Sequence, residues 1–330
     1  MLIPCFIPIK KRVEHEFMSK STTVSIKGIS AIFVMVAHYQ IWIDQLQDIK
    51  TNRLIHLTIG ELGGIGVLLF FFVSGYGIHK SYSDKEVTYK FLLKRITTLY
   101  IPYIIMKFLL LPWRYGAGIT SRSLFQEIVD ILLIRDWFIF VIMLLYVIFY
   151  VASKISKKHI IVQSLVADIL LTYIFIIQNK PFRWFNALWL FTFGMILSKK
   201  SEDVNRIINK RGAVVNSICT IAFFICGITF SLFKSNLYMS GFKIIAGSFL
   251  CIIVISFFNS YKIDNRFIYF VGKRSLHLYI IHITIWECLQ NLKNVGGRLI
   301  FAIVITFIVT ELIYRITSMI SKTLNSIVKY

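Results

Sequence analysis

Lys27 and His38 are the first residues whose types and spacing suggest chemistry. They stand eleven positions apart in the apolar run KGISAIFVMVAH, so at about 100° per residue they differ by only about 20° around a helix and share one face. The helical rise separates them by roughly 16 Å along the axis. With Lys27 at one membrane boundary, His38 falls inside or past the middle of the hydrocarbon layer. An imidazole at that depth is costly unless it faces other helices or water, which makes it a functional candidate. The chemistry it offers is proton transfer near neutral pH. Spacing alone leaves a packed or water-linked histidine near a helix end equally open.

The elements that must position these residues are membrane helices. With 57% hydrophobic residues and only 16% charged in 330 positions, the chain is far more apolar than a soluble domain. It reads as an all-α, polytopic integral membrane protein. A spanning helix needs about 20 mostly apolar residues, and ten such segments are predicted: 24 to 43, 60 to 79, 91 to 112, 137 to 153, 159 to 177, 184 to 198, 213 to 233, 241 to 259, 275 to 292 and 297 to 318. The sixth is short, and Ser121 to Ile134 suit an extra interfacial helix. The organisation is then a tail of residues 1–23, one membrane domain over 24–318 and a second tail over 319–330. No Gly-rich linker, long hydrophilic insert or internal duplication divides it.

A formal charge of +21 raises the question of nucleic acid, but the Lys and Arg residues sit in short loops between apolar runs. Counted with the N-terminus inside, 25 fall on the cytoplasmic side and 11 on the other, with Lys107 inside the third helix. That bias predicts both termini in the cytoplasm of a multi-pass cell-membrane protein. It excludes a nucleic-acid surface and would favour a polyanionic substrate approaching from the cytoplasm. The five cysteines, including Cys5, show no CxxC or Cys/His ligand spacing, so no metal site is predicted.

The second apolar segment adds Gly60, Gly63, Gly64 and Gly66, then Ser74, Gly75 and Tyr76. Most of these glycines suit close helix packing. The Ser74–Gly75–Tyr76 end lies near the cytoplasmic boundary, where a broken helix would open backbone groups to a ligand. Phe72 occupies the position of the first Gly of a GxSxG elbow, so Ser74 is no hydrolase nucleophile. Glu61 and Glu287 fall in the same outer parts of their helices as His38 and are candidates to orient it, or simple structural acids. Glu311 and Arg315 read as a structural pair four apart.

KGISAIFVMVAH, GVLLFFFVSGYGIHKSY, KRITTLYIPY, DWFIFVIMLLY and LHLYIIH together resemble, in order and placement, the acyltransferase-3 family of ten-helix membrane acyltransferases. The resemblance spans about Lys27 to His282. It implies transfer of an acyl group, usually acetyl from acetyl-CoA, to a hydroxyl of a cell-surface glycan or lipid-linked sugar. It matches Lys27 and His38 to the family's basic-x10-His pair. Arg95 takes the place of the cytoplasmic cation that could hold donor phosphates, with Ser74, Gly75 and Tyr76 nearby. Asp136 and Trp137 match an element on the acceptor side, and Tyr279 and His282 the tyrosine-histidine element of the ninth helix. Many relatives carry GVDLFF where this chain has Leu68, so an acid is missing here. On this reading His38 is the general base, with a transient acyl-histidine as the variant and Glu61 as an assisting acid. The rival reading from another class is a transporter or flippase for a glycan or lipid-linked sugar.

Overall fold

The structure, a computed structural model, describes residues 9–11, 17–47, 53–116, 118, 120, 122–232, 240–263, 265–289, 292 and 294–328. Residues 1–8 and 12–16 of the expected tail, Cys5, Ser121, and residues 329 and 330 lie outside the described residues.

Lipid offers the backbone no hydrogen-bond partners, so apolar segments close their bonds internally as helices. In chain order these are α1 (Lys20–Gln47), α2 (Arg53–Tyr82), α3 (Tyr89–Arg95), a π-helical turn (Ile96–Tyr100) and α4 (Ile101–Gly116). There follow α5 (Leu124–Leu132), α6 (Trp137–Ile155), α7 (Ile160–Ile177) and α8 (Leu188–Lys199). The chain ends with α9 (Ser201–Leu232), α10 (Ser240–Ser260), α11 (Arg266–Lys273), α12 (Ser275–Cys288) and α13 (Val295–Val328). The only described strands, Ile9–Lys11 and Tyr261–Ile263, form a short antiparallel pair with Lys10 opposite Lys262. The protein is therefore an all-α polytopic membrane protein. Among the described residues, eight helical spans are long and apolar enough to cross a membrane. The predicted sixth and ninth segments form α8 and α12, which at 12 and 14 residues are shorter than that. The region expected as a C-terminal tail is still helical at Val328.

Two compact units divide the chain. The first contains Met1–Ile29, Val67–Glu86 and Ile155–Lys273, and the second Ser30–Gly66, Val87–Lys154 and Arg274–Tyr330.

In the first unit, α2 and α8 meet backbone to backbone. A Cβ on Gly75 would run into the Phe191 carbonyl, and one on Gly194 would meet the backbone of Phe72 and Tyr76. Only glycine allows that approach. Leu68, where relatives carry an acid, is buried and packs beside Gly247 of α10. Asp168 of α7 is buried and accepts a hydrogen bond from the Thr192 hydroxyl of α8 at 2.6 Å, a polar tie between two membrane helices.

In the second unit, Pro102 explains the π turn before it. Proline has no N–H and its ring crowds the carbonyl four residues back, so the regular ladder cannot run through Thr98. The Thr97 carbonyl left by the wider turn accepts from the Ser321 hydroxyl at 2.8 Å. Glu311 holds Arg315 at 2.7 Å, and Arg274 of α12 joins the same carboxylate, which ties α12 to α13.

Candidate active site

His38 is helical and half-buried on α1, and its Nδ1 lies 2.8 Å from Nε2 of His282 on α12. The two rings are nearly parallel, with centroids 5.1 Å apart. His282 is fully buried, and its Nδ1 is 2.9 Å from the Leu278 carbonyl of its own helix. A carbonyl only accepts, so His282 Nδ1 carries the proton and a neutral His282 presents its Nε2 lone pair. That lone pair accepts the Nδ1 proton of His38. A neutral His38 therefore carries its own lone pair on Nε2. This is the logic of a base held by an orienting group, with an imidazole in the role often filled by a carboxylate.

Glu61 and Glu287 were the acids expected to orient His38, and the structure adds His282 as a partner of its Nδ1. Glu61 is exposed on α2, two residues before Gly63, which packs on Ala37 next to His38. Glu287 lies five residues past His282 and interacts electrostatically with Arg114 and Lys107.

Aromatic rings enclose the histidine pair. Trp42 lies one turn beyond His38, with centroids 5.6 Å apart, and stacks on Trp286 at 5.3 Å. Tyr39 packs on Trp286 at 5.2 Å while its hydroxyl meets Thr306 of α13 at 3.1 Å. Over Trp286 sits Arg298, buried, 4.4 Å from the ring centroid, with Nη2 donating to the Trp286 carbonyl at 2.8 Å. The last carbonyls of a helix lack intrahelical donors, so Arg298 caps α12 next to the site. Arg298 fell inside the predicted tenth segment, 297 to 318, but was not singled out. Its position directly after Gly296 and Gly297 is the only hint that it begins a helix facing inward.

Tyr279 is buried one turn before His282, 6.1 Å from it between centroids, and its ring meets Phe138 at 4.5 Å. Asp136 stands just ahead of α6, where its carboxylate lies 3.5 Å from the Ile139 amide. It also lines a cavity of about 460 Å³ between α4, α5 and α6. Trp137 packs edge-on against Phe138 at 6.0 Å and is not among the cavity's lining residues. Lys107 and Arg114 of α4, with Glu127 and Asp130 of α5, share that cavity. The two α5 acids were missed as site residues, although their spacing of three puts them on one helical face behind a Ser123–Gln126 capping box.

Lys27, expected to meet the donor, is half-buried on an unbroken α1. The helix break expected at Ser74–Gly75–Tyr76 does not occur: α2 continues to Tyr82. Gly75 and Tyr76 are buried, with the Tyr76 hydroxyl 3.4 Å from the Phe17 carbonyl, and Ser74 is half-buried. The glycine there serves contact with α8 and not an opened backbone. Arg95, at the end of α3, places its guanidinium over Phe91 at 5.1 Å and Tyr146 at 4.9 Å. Its buried Nε has no hydrogen-bond partner. A phosphate oxygen would satisfy that donor. Among the described residues, no three His, Cys, Asp or Glu gather as a metal-holding group.

No curated protein and no solved structure matches the chain. The acyltransferase domain family matches residues 25–315, a stretch that carries the histidine pair, its aromatic enclosure and the polar cavity, and the chain belongs to this acyltransferase-3 family of membrane acyltransferases.

Proposed function

We propose that this membrane acyltransferase is an O-acyltransferase that moves an acetyl group from acetyl-CoA to a hydroxyl of a cell-surface glycan or lipid-linked sugar. The observation that carries the reading is the His38–His282 pair, 2.8 Å apart, whose hydrogen-bond order leaves the basic lone pair on His38 Nε2. In the step, His38 Nε2 removes the acceptor hydroxyl proton as the oxygen attacks the thioester carbonyl carbon. The carbon–sulfur bond then breaks, the ester forms, and the departing thiolate takes the proton back from the imidazolium. Because the Nδ1 proton is held by His282, the imidazolium formed on the way is stabilised by a lone pair already in place.

The charge bias along the sequence supports a cytoplasmic origin for the donor, with both termini on that side and the protein in the cell membrane. Lys27 and Arg95 are the cations offered to its phosphates, Arg95 on the strength of its unsatisfied Nε. Ser74, Gly75 and Tyr76 keep only a supporting place there, as part of a packed helix. The acceptor comes from the opposite side, past Asp136 and Trp137, towards Tyr279 and His282. Glu61 remains a candidate acid close to His38 on α2.

The test is transfer by purified full-length protein given labelled acetyl-CoA and candidate glycans. His38→Ala should abolish the appearance of label in glycan, a loss of at least about 10²-fold for removal of a general base, without lowering the protein's abundance in the membrane. Retained transfer would remove His38 from the chemistry. Movement of unmodified glycan across vesicles, with no labelled product, would favour transport.

A further inference from the structure

The wall of the cavity beside Asp136 holds two closed ion-pair clusters, and Lys107 and Asp136 stand outside both. Arg114 Nη1 holds Glu127 at 3.0 Å, and the Thr120 hydroxyl donates to the other oxygen of that carboxylate at 2.6 Å. Asp130 is shared between Arg122 Nη1 at 2.5 Å and Arg135 Nε at 2.9 Å. Both α5 acids are therefore matched by cations within the wall. Lys107 is different: it is half-buried, lies 5.8 Å over the Tyr103 ring, and has no ion-pair partner among the described residues. Glu287 interacts with it electrostatically without forming an ion pair, so the ammonium keeps donors for a ligand that enters the cavity. The three arginines add donors, since a guanidinium carries five N–H groups and the ion pairs use only some of them.

Two paths connect this wall to His282. Glu287, whose carboxylate interacts with Lys107 and Arg114, is five residues past His282, about 7.5 Å along α12. Phe138, two residues past Asp136, touches Tyr279, which in turn borders His282. Both run from the cavity wall towards His282.

We infer that this cavity is the acceptor subsite and that it selects an acidic sugar, one bearing a carboxylate or a phosphate, whose anionic oxygens Lys107 receives. The inference rests on the transferase reading for the fate of the sugar but not for its binding, and the two are tested separately. Full-length protein is mixed with a labelled uronate oligosaccharide, the same oligosaccharide as its neutral methyl ester, and a sugar phosphate, and binding is measured by equilibrium dialysis. The uronate, the phosphate or both should bind at least tenfold more tightly than the ester, and the preferred anion identifies the source. Added salt should erase that difference. Lys107→Met should remove the tenfold preference, and Lys107→Arg should keep most of it. Equal binding of acid and ester by the unaltered protein overturns the inference, as does an acid preference that survives in Lys107→Met. His38→Ala should bind the acidic sugar as before while failing to acylate it. If the unaltered protein binds the acid through Lys107 yet transfers no label, the anion subsite stands and the transferase reading falls.

Discussion

At the residue scale the histidine pair governs what the site can do. In the proposed mechanism His282 touches His38 and not the reacting oxygen, which makes it a positioning residue. His282→Asn would remove the acceptor that holds His38 Nδ1–H and let the ring choose the other tautomer, with its lone pair pointing away from the acceptor hydroxyl. Transfer should then fall about 10²-fold or more, by analogy with other oriented histidine bases. A purely structural role would lower the amount of folded protein and leave the pH–rate profile unchanged. A positioning role instead alters the profile, because the acid limb belongs to the coupled pair. Measuring kcat against pH in both proteins separates the two. His38 was visible in the sequence because a titratable ring in an apolar run is conspicuous. Its partner was not, since His38 and His282 are 244 positions apart and no local pattern links them. A carboxylate was the orienting group expected from the sequence, and the structure adds a second imidazole at Nδ1.

At the element scale the instructive case is α2. Ser-Gly-Tyr-Gly reads as a helix breaker because glycine carries an entropic cost in a helix. Within a membrane the alternative to a closed backbone ladder is an unsatisfied one, so the helix continues. The glycine is present for a different reason, the close passage of Phe191 on α8. Gly75→Ala should therefore cost about 1–3 kcal/mol of overpacking, seen as a lower midpoint in thermal unfolding of the solubilised protein. Gly77→Ala, where an added Cβ meets nothing within 4 Å, should leave the midpoint unchanged or raise it, since alanine is the better helix former. A similar fall in both variants would mean that the α8 contact does not set the cost. Spans themselves were legible because hydropathy is a sum over twenty residues and tolerates local error. The cavity wall was less so. Arg114 was counted as a loop charge, and Glu127 and Asp130 fell in the stretch expected as an interfacial helix without being read as site residues; α5 aims both acids at the cavity.

At the scale of the whole molecule, the proposed mechanism depends on sidedness: donor cations must face the cytoplasm and the acceptor cavity must face away. The charge bias sets that orientation, and a labelling experiment checks it. In a protein whose native cysteines are replaced by alanine, a cysteine at Ser123 beside the cavity should react with a membrane-impermeant maleimide in intact cells. One at Ser83, between α2 and α3, should react only after lysis. The reverse pattern would invert the topology and with it the routes assigned to donor and acceptor. Fold class and family followed from composition and from motif order spread along the chain. The meeting of α1, α4, α12 and α13 around two histidines is a tertiary fact that no single stretch encodes.

The π turn at Ile96–Tyr100 carries a further consequence for the third span. A π turn fits one more residue into a turn than an α-helix does, so everything after it is rotated by roughly 100° relative to a regular helix. Arg95 lies before the turn and Lys107 after it. The turn is thus a phase shifter: it sets the angle between the cation proposed for the donor and the cation proposed for the acceptor, and allows one helix to address two substrates in different directions.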